Sequence, residues 1–225
     1  MNRGLFAAQL NEAWNVLGML GLDADRVWHP TYPAHLAAHF RSLSYLQVWR
    51  TCYAEQYYDF LLADNSVIQL RATSFQPLRV SYAYYECPFD APSYADFVES
   101  EVSVSAFEAG DEFREEYENF LLACPPKAAI TPIRYDYDPD RYTEGIHPAS
   151  HFHLGHANSV RIATHRILRP LSFLLFVLRQ RYPIHWPNLL AQREAPVWCR
   201  NIRDALDSVE DAYIHPNDMF EMILQ

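Results

Sequence analysis

Apolar positions recur at helical spacing at the start of the chain. Phe6, Leu10, Ala13 and Leu17 fall on one face and Gly21 offers a stop, so the pattern predicts a helix over about 5–20. His29-Pro30 and Tyr32-Pro33 then read as an extended link, because a residue before proline avoids the helical region. A second helix is expected over about 42–56, with Leu46, Trp49 and Tyr53 on one side. The period then changes to two. YYDFLLA, a short Asp64-Asn65 loop and SVIQLRATSF form a hairpin signal, with Ile68, Leu70 and Ala72 alternating with Gln69, Arg71 and Thr73, one face buried and one wet. RVSYAYYE from Arg79 continues as a third strand. Acidic helices are expected at about 93–101 and 111–122, and Pro125-Pro126 breaks the chain.

After that break, AITPIRYDYDP (129–139) and SHFHLG (150–155) read as strands. From about 158 the pattern becomes helical, with LSFLLFVLRQRY (171–182) as the most apolar and central helix and shorter pieces after it, interrupted by Pro187, Pro196 and Pro216. No repeat or low-complexity segment is present. This order predicts an α+β fold: one domain over 1–225, an antiparallel sheet packed against several helices, with a helical C-terminal part.

Composition agrees with a packed core, since half of the 225 residues are hydrophobic. The longest apolar stretch, Leu171 to Leu178, is too short to span a bilayer, so no membrane is expected as a partner. The N-terminus carries Glu12 and Asn15 among its apolar residues and reads as an amphipathic helix, not a signal peptide. The four cysteines, Cys52, Cys87, Cys124 and Cys199, form no CxxC pair, which fits reduced thiols in a cytoplasmic protein. GxGxxG, Walker and GxSxG motifs are all absent.

Charge is uneven. The formal net charge is −10, yet Glu86 to Glu118 holds eleven acids and one base, whereas Gly145 to Arg193 holds no acid, six arginines and six of the ten histidines. Either the two regions pack together and neutralise each other, or the acidic segment 86–118 docks a protein partner and the basic region meets an anion.

Side chains alternate across a strand. Ile133, Tyr135 and Tyr137 are expected to face the core, leaving Arg134, Asp136 and Asp138 outside; Phe152 and Leu154 face in, leaving His151 and His153 outside. If the two strands pair, two imidazoles and two carboxylates share one exposed surface, with His147 in the loop before and His156 in the turn after. Arg161, His165 and Arg169 follow at four-residue spacing and would share a helical face near Arg166, a candidate phosphate-binding set. Three chemistries are open. One is a divalent metal held by His147, His151 and His153 or by the His/Asp set. Another is metal-free phosphodiester cleavage, with His151 and His153 as acid and base, Asp136 and Asp138 orienting them, and Arg161 or Arg166 stabilising charge. The third is anion binding without reaction. Against all three stands the ordinary solvated histidine on an exposed strand.

The segments YYDFLLADNSVIQL, SYAYYECPF, YDYDPDRY, HPASHFHLG and PLSFLLFVLRQRYP resemble the bacterial family called domain of unknown function 2290, across roughly 5–185. The resemblance implies a bacterial cytoplasmic protein with His147, His151 and His153 in its signature segment, and no activity to carry over. Residues 133–156 are also similar to His-rich (HxH) bacterial toxin families found in toxin–antitoxin and phage-defence gene pairs. Together these readings lead to the expectation of an RNA- or nucleotide-directed phosphodiester enzyme, a toxin-like ribonuclease. The alternative is a non-catalytic, antitoxin-like or complex-forming subunit.

Overall fold

The structure is a computed structural model that describes residues 1–102, 110–156, 160–198 and 206–215. In chain order its elements are α1 (Arg3–Met19), β1 (Asp23–Arg26), α2 (Leu36–Phe40), α3 (Tyr45–Ala54), β2 (Phe60–Leu62), β3 (Val67–Phe75) and β4 (Leu78–Tyr85). There follow α4 (Tyr94–Phe97), continued by a π-helical turn Val98–Val102, then α5 (Arg114–Ala123), β5 (Ile133–Tyr137), β6 (Ser150–Leu154) and β7 (Val160–Ala163). The described chain closes with β8 (Arg166–Ile167), α6 (Pro170–Arg181), α7 (Trp186–Leu190) and β9 (Asp207–Ser208). The first seven strands form one antiparallel sheet in chain order, each pairing with the next, and β8 and β9 form a second, two-stranded ladder. The α+β class expected from the pattern is the class observed.

Alternation sorts the side chains of the large sheet. On the first face, Ile68, Leu70, Tyr82, Tyr84, Ile133, Tyr135 and Phe152 pack with α1 and α6 in one cluster. Tyr82 sits 5.7 Å from the ring of Tyr135 and 5.6 Å from that of Phe173 on α6. A buried phenol needs a partner for its hydroxyl, and the Tyr135 oxygen lies 2.8 Å from Ser150 Oγ and accepts the Leu168 N–H at 3.0 Å.

The second face is divided. At one end Leu61, Val67, Ala83 and Tyr85 pack with α2, α3, α4 and α5 in a second cluster around Trp49 and Tyr117. Helix α3 starts at a capping box of Ser44 and Gln47. The β2–β3 turn is tied to these helices through Asn65, a left-handed residue at φ 62°, whose carbonyl accepts the Trp49 indole N–H at 3.0 Å and whose amide donates to Tyr117 Oη at 2.6 Å. At the other end the outward positions of the same strands become Arg71, Thr73, Arg79, Ser81, Arg134, Asp136, His151, His153 and Arg161, and they line a cleft. The wet face expected for β3 is therefore half covered by helices.

The helical C-terminal part expected from about 158 is corrected. Residues 160–163 extend the sheet, 166–167 pair with β9, and the helix begins only at Pro170. Ile162 stands opposite Phe152 and completes the apolar face there; without β7, the outer edge of β6 would be a row of unpaired backbone groups. Cys52 and Cys87 are buried free thiols and Cys124 is half-buried; Cys199 lies outside the described residues. No helix among the described residues is long and apolar enough to cross a membrane.

The acidic segment 86–118 is described except for residues 103–109. Its first member, Glu86, is buried. It pairs with Arg181 at 2.6 Å and Lys127 at 3.4 Å and accepts the Thr131 N–H at 3.0 Å. The Glu86–Arg181 pair is the one ion pair among the described residues that joins this segment to the acid-free stretch 145–193. Among the described residues, direct pairing between the two regions is confined to that contact, and Glu115, Glu116 and Glu118 stay exposed on α5.

Candidate functional site

Two cross-strand rows build the cleft floor. Register places Arg71 opposite Ser81, Ser81 opposite Asp136, and Asp136 opposite His151. In the next row Ala83 faces Arg134, Arg134 faces His153, and His153 faces Arg161. Directly opposed residues in an antiparallel sheet have Cβ atoms about 5 Å apart, so polar side chains on this face must meet. The Nε2 atoms of His151 and His153 are 2.9 Å apart, and His153 Nε2 is 3.3 Å from Asp136 Oδ2. His151 Nδ1 lies 2.8 Å from the Pro148 carbonyl oxygen, so this nitrogen carries the proton and Nε2 is left with its lone pair towards His153.

Both imidazoles are buried, at 1% and 5% exposure, which corrects the exposed strand face expected for them. His147, in the loop before β6, packs its ring on His151, and β7 pairs alongside with Ala163 opposite His151 and Arg161 opposite His153. Burial, with the neighbouring His153 charge, pushes His151 down to about 4. His147 is also pushed down by burial and by Arg161, His153 and Arg141, and its ring packs edge-on against His151 at 4.8 Å. Burial raises the Asp136 carboxyl, but contacts with His153 and Ser81 and the charges of His153 and Arg134 more than reverse this, holding it at about 2. The pair expected to shuttle protons is therefore turned inward, with His151 neutral near pH 7.

The walls supply cations. Arg41, Arg71, Arg79, Arg134, Arg141 and Arg161 all line a cleft of about 320 Å³, against two carboxylates, Asp136 and Asp138. Among the described residues Arg79 pairs with Asp138 and Asp140, and Arg141 pairs with Asp138 at 3.3 Å; the other four have no ion pair. Arg134 Nη2 and His147 Nδ1 are buried without a hydrogen-bond partner among the described residues. Arg71 lies over the Tyr32 ring at 4.5 Å, and the Tyr32 hydroxyl donates to Asp59 at 3.1 Å. Asp59 is buried beneath this wall, and burial pushes its carboxyl up to about 7. A small alcove of about 60 Å³, lined by apolar Leu36, Phe40, Val48 and Tyr85 and by polar Gln69 and His156, opens beside the cleft and shares Arg41, Arg71 and Arg134 with it.

Of the expected site residues, the fold brings together Asp136, His151, His153, His147 and Arg161. Asp138 lines the cleft in a different role. It lies beyond the end of β5, caps the turn Pro139–Arg141 by accepting the Asp140 N–H at 3.2 Å, and holds Arg79 and Arg141. Arg166, His165 and Arg169 do not line the cleft. Arg166 donates to Ser208 Oγ at 2.9 Å, Arg169 lies 3.6 Å from Asp207, and the His165 ring faces a small separate cavity with Val209 and Tyr213. Their expected helical face does not exist, because Arg161 lies on a strand and the chain turns before Arg166. Of the two ligand groups expected, the His/Asp set is the one whose donor atoms all lie within 4.8 Å of one another among the described residues, as Asp136, His151 and His153; His147 stands outside it.

The arginines at 41, 71 and 79 were not anticipated. Arg71 and Arg79 were legible as outward positions of β3 and β4, but their neighbourhood with His151 depends on β4 pairing with β5 across an intervening helical segment.

A protein-family model described as "Uncharacterized conserved protein (DUF2290)" matches residues 18–224. Neither the curated proteins nor the solved structures yield a match.

Proposed function

The chain belongs to the DUF2290 family of uncharacterised conserved proteins, and we propose that this member binds a phosphate-bearing ligand of nucleotide size in the cleft and hydrolyses a phosphoester bond there. The observation that supports this reading is six arginines lining one cleft, four of them with no ion pair among the described residues, in a protein of net charge −10. Arg71 and Arg134 are half-buried in the cleft, and the planar fork of a guanidinium group matches phosphate oxygens. The volume of about 320 Å³ lies at the small end of ligand pockets. It suits a mononucleotide or the terminal nucleotide of a strand more than a duplex. In this reading Arg71, Arg134 and Arg161 take the phosphoryl oxygens.

In the reaction a water oxygen attacks phosphorus, the P–O ester bond breaks, and its electron pair leaves with the departing oxygen. The water gives up one proton to the polar floor, and the departing oxygen takes one back. No oxidant or reductant is required. The arginines stabilise charge spread over the phosphoryl oxygens, where electrostatic preorganisation contributes most. A toxin-like ribonuclease is one member of this class. A non-catalytic docking role for segment 86–118 rests on its exposed acids, among them Asp96, Glu99, Glu101, Asp111, Glu112, Glu115, Glu116 and Glu118, while Glu86 is turned inward.

The test is equilibrium dialysis of the purified protein with nucleoside mono- and triphosphates, together with product analysis on short oligoribonucleotides and a chromogenic phosphodiester. Binding with turnover, both lost in the Arg71→Ala/Arg161→Ala double variant, is the expected result. Binding without turnover leaves a ligand-sensing protein, and neither binding nor turnover overturns the reading.

A further inference from the structure

The trio on the cleft floor has the form of a ligand set. Two imidazole Nε2 atoms and one carboxylate oxygen converge, with separations of 2.9 Å and 3.3 Å through His153 Nε2. Ligands held by one metal ion at about 2.1 Å sit roughly 3.0–3.4 Å apart in octahedral or tetrahedral geometry. An acid–base pair, in contrast, needs its nitrogens aimed at the substrate; here they are aimed at each other. His151 also carries the outer support usual for a metal-bound imidazole, its Nδ1–H donating to the Pro148 carbonyl at 2.8 Å, which fixes the tautomer with Nε2 free to ligate. The set comes from two paired strands with Asp136 directly opposite His151, so its spacing is held by the sheet and not by a loop.

We propose that Asp136 Oδ2, His151 Nε2 and His153 Nε2 hold one divalent transition-metal ion, zinc or manganese in type, on the cleft floor. Two imidazoles and one carboxylate disfavour magnesium and calcium, which take oxygen ligands, and suit borderline ions. Three protein ligands leave positions open towards the arginines for water and a phosphoryl oxygen, the arrangement of catalytic rather than structural sites. This rests on the phosphoester reading for its purpose but not for its geometry. Bound there, the ion lowers the pKa of its water and supplies the attacking hydroxide near neutral pH. His147, outside the ligand set, packs its ring edge-on against the ligand His151 at 4.8 Å.

The experiment uses the full chain, stripped with a chelator, dialysed, and titrated calorimetrically with zinc or manganese chloride. Wild type and Arg161→Ala take up one ion per chain. Asp136→Asn and His151→Gln bind about a hundredfold more weakly or worse. Because a buried variant can misfold, X-ray absorption of the zinc-loaded wild type provides an independent reading: two imidazole ligands and oxygen are expected. A wild type that takes up neither ion, variants that bind as tightly as wild type, or a spectrum without imidazole overturns the proposal. An ion bound as described with no nucleotide bound overturns the phosphoester reading alone. Nucleotide hydrolysis by metal-free protein overturns the ion's role in the reaction and leaves the phosphoester reading standing.

Discussion

Replacing Asp59 by Asn should stabilise the fold, and by an amount that depends on pH. The carboxyl is 5% exposed and is raised from its ordinary 3.8 to about 7, chiefly by burial, against the pull of the Leu70 N–H, the Tyr32 hydroxyl and the charges of Arg26 and Arg71. In the folded protein it therefore keeps its proton over a range in which the unfolded chain has lost it. Stability is fully present below about pH 4, falls as pH rises towards 7, and levels off above. Each tenfold in proton affinity is worth about 1.4 kcal/mol, so the full loss is on the order of 4 kcal/mol. Both hydrogen bonds to the carboxyl are accepted by Oδ2, at 2.6 Å from Leu70 N and 3.1 Å from Tyr32 Oη, and the amide oxygen of Asn can take that place. Urea unfolding of wild type and Asp59→Asn from pH 4.5 to 8.5 measures the difference. The two should converge at the acid end and separate by several kcal/mol at pH 8, Asn above Asp. A difference that does not change with pH would refute the reasoning, because it would place the Asp59 proton affinity at its unfolded value.

Arg161→Ala or Arg71→Ala should weaken nucleotide binding about 10- to 100-fold, the worth of one charged hydrogen-bonding group, with no change in urea midpoint beyond that of an ordinary surface substitution; dialysis and unfolding check the two halves. Glu86→Ala strands Arg181 and Lys127 beside a buried site and should cost about 3 kcal/mol, measured by urea unfolding, and less in high salt if the pairs are as exposed on their basic sides as their geometry indicates. Phe173→Ala removes a fully buried ring packed on Tyr82 and should cost about 3–5 kcal/mol, while Phe173→Leu costs a fraction of that.

Much of the scaffold was readable because its periods are long and clean. The alternation in IRYDY and SHFHL correctly separates Ile133, Tyr135, Tyr137 and Phe152 from Asp136, His151 and His153, whereas the pairing of the two strands is supplied by the fold. Residues 160–169 were misread because VRIA is too short for its period to tell strand from helix; what decides it is the open edge of β6. The same misreading grouped Arg161, His165 and Arg169, of which the fold keeps only Arg161 in the cleft. Burial of the two histidines was not readable either, since alternation says which face a residue is on and not what covers that face.

The sequence by itself determined which side chains share a face of each strand, because backbone geometry sends alternate residues to opposite sides whatever the rest of the chain does. It also determined that those faces, in β5 and β6, carry imidazoles and carboxylates on one side and aromatic rings on the other. The tertiary structure decided the rest. Strand order set Arg71, Ser81, Asp136 and His151 in one row across more than eighty residues of chain, and helices α2–α5 stop partway along the second face, leaving polar positions in a cleft instead of under a core or in open solvent. The physical reason is that strand register and helix packing are set by long-range contacts, each chosen against competing pairings by the burial of the whole apolar face, and no local pattern encodes that choice.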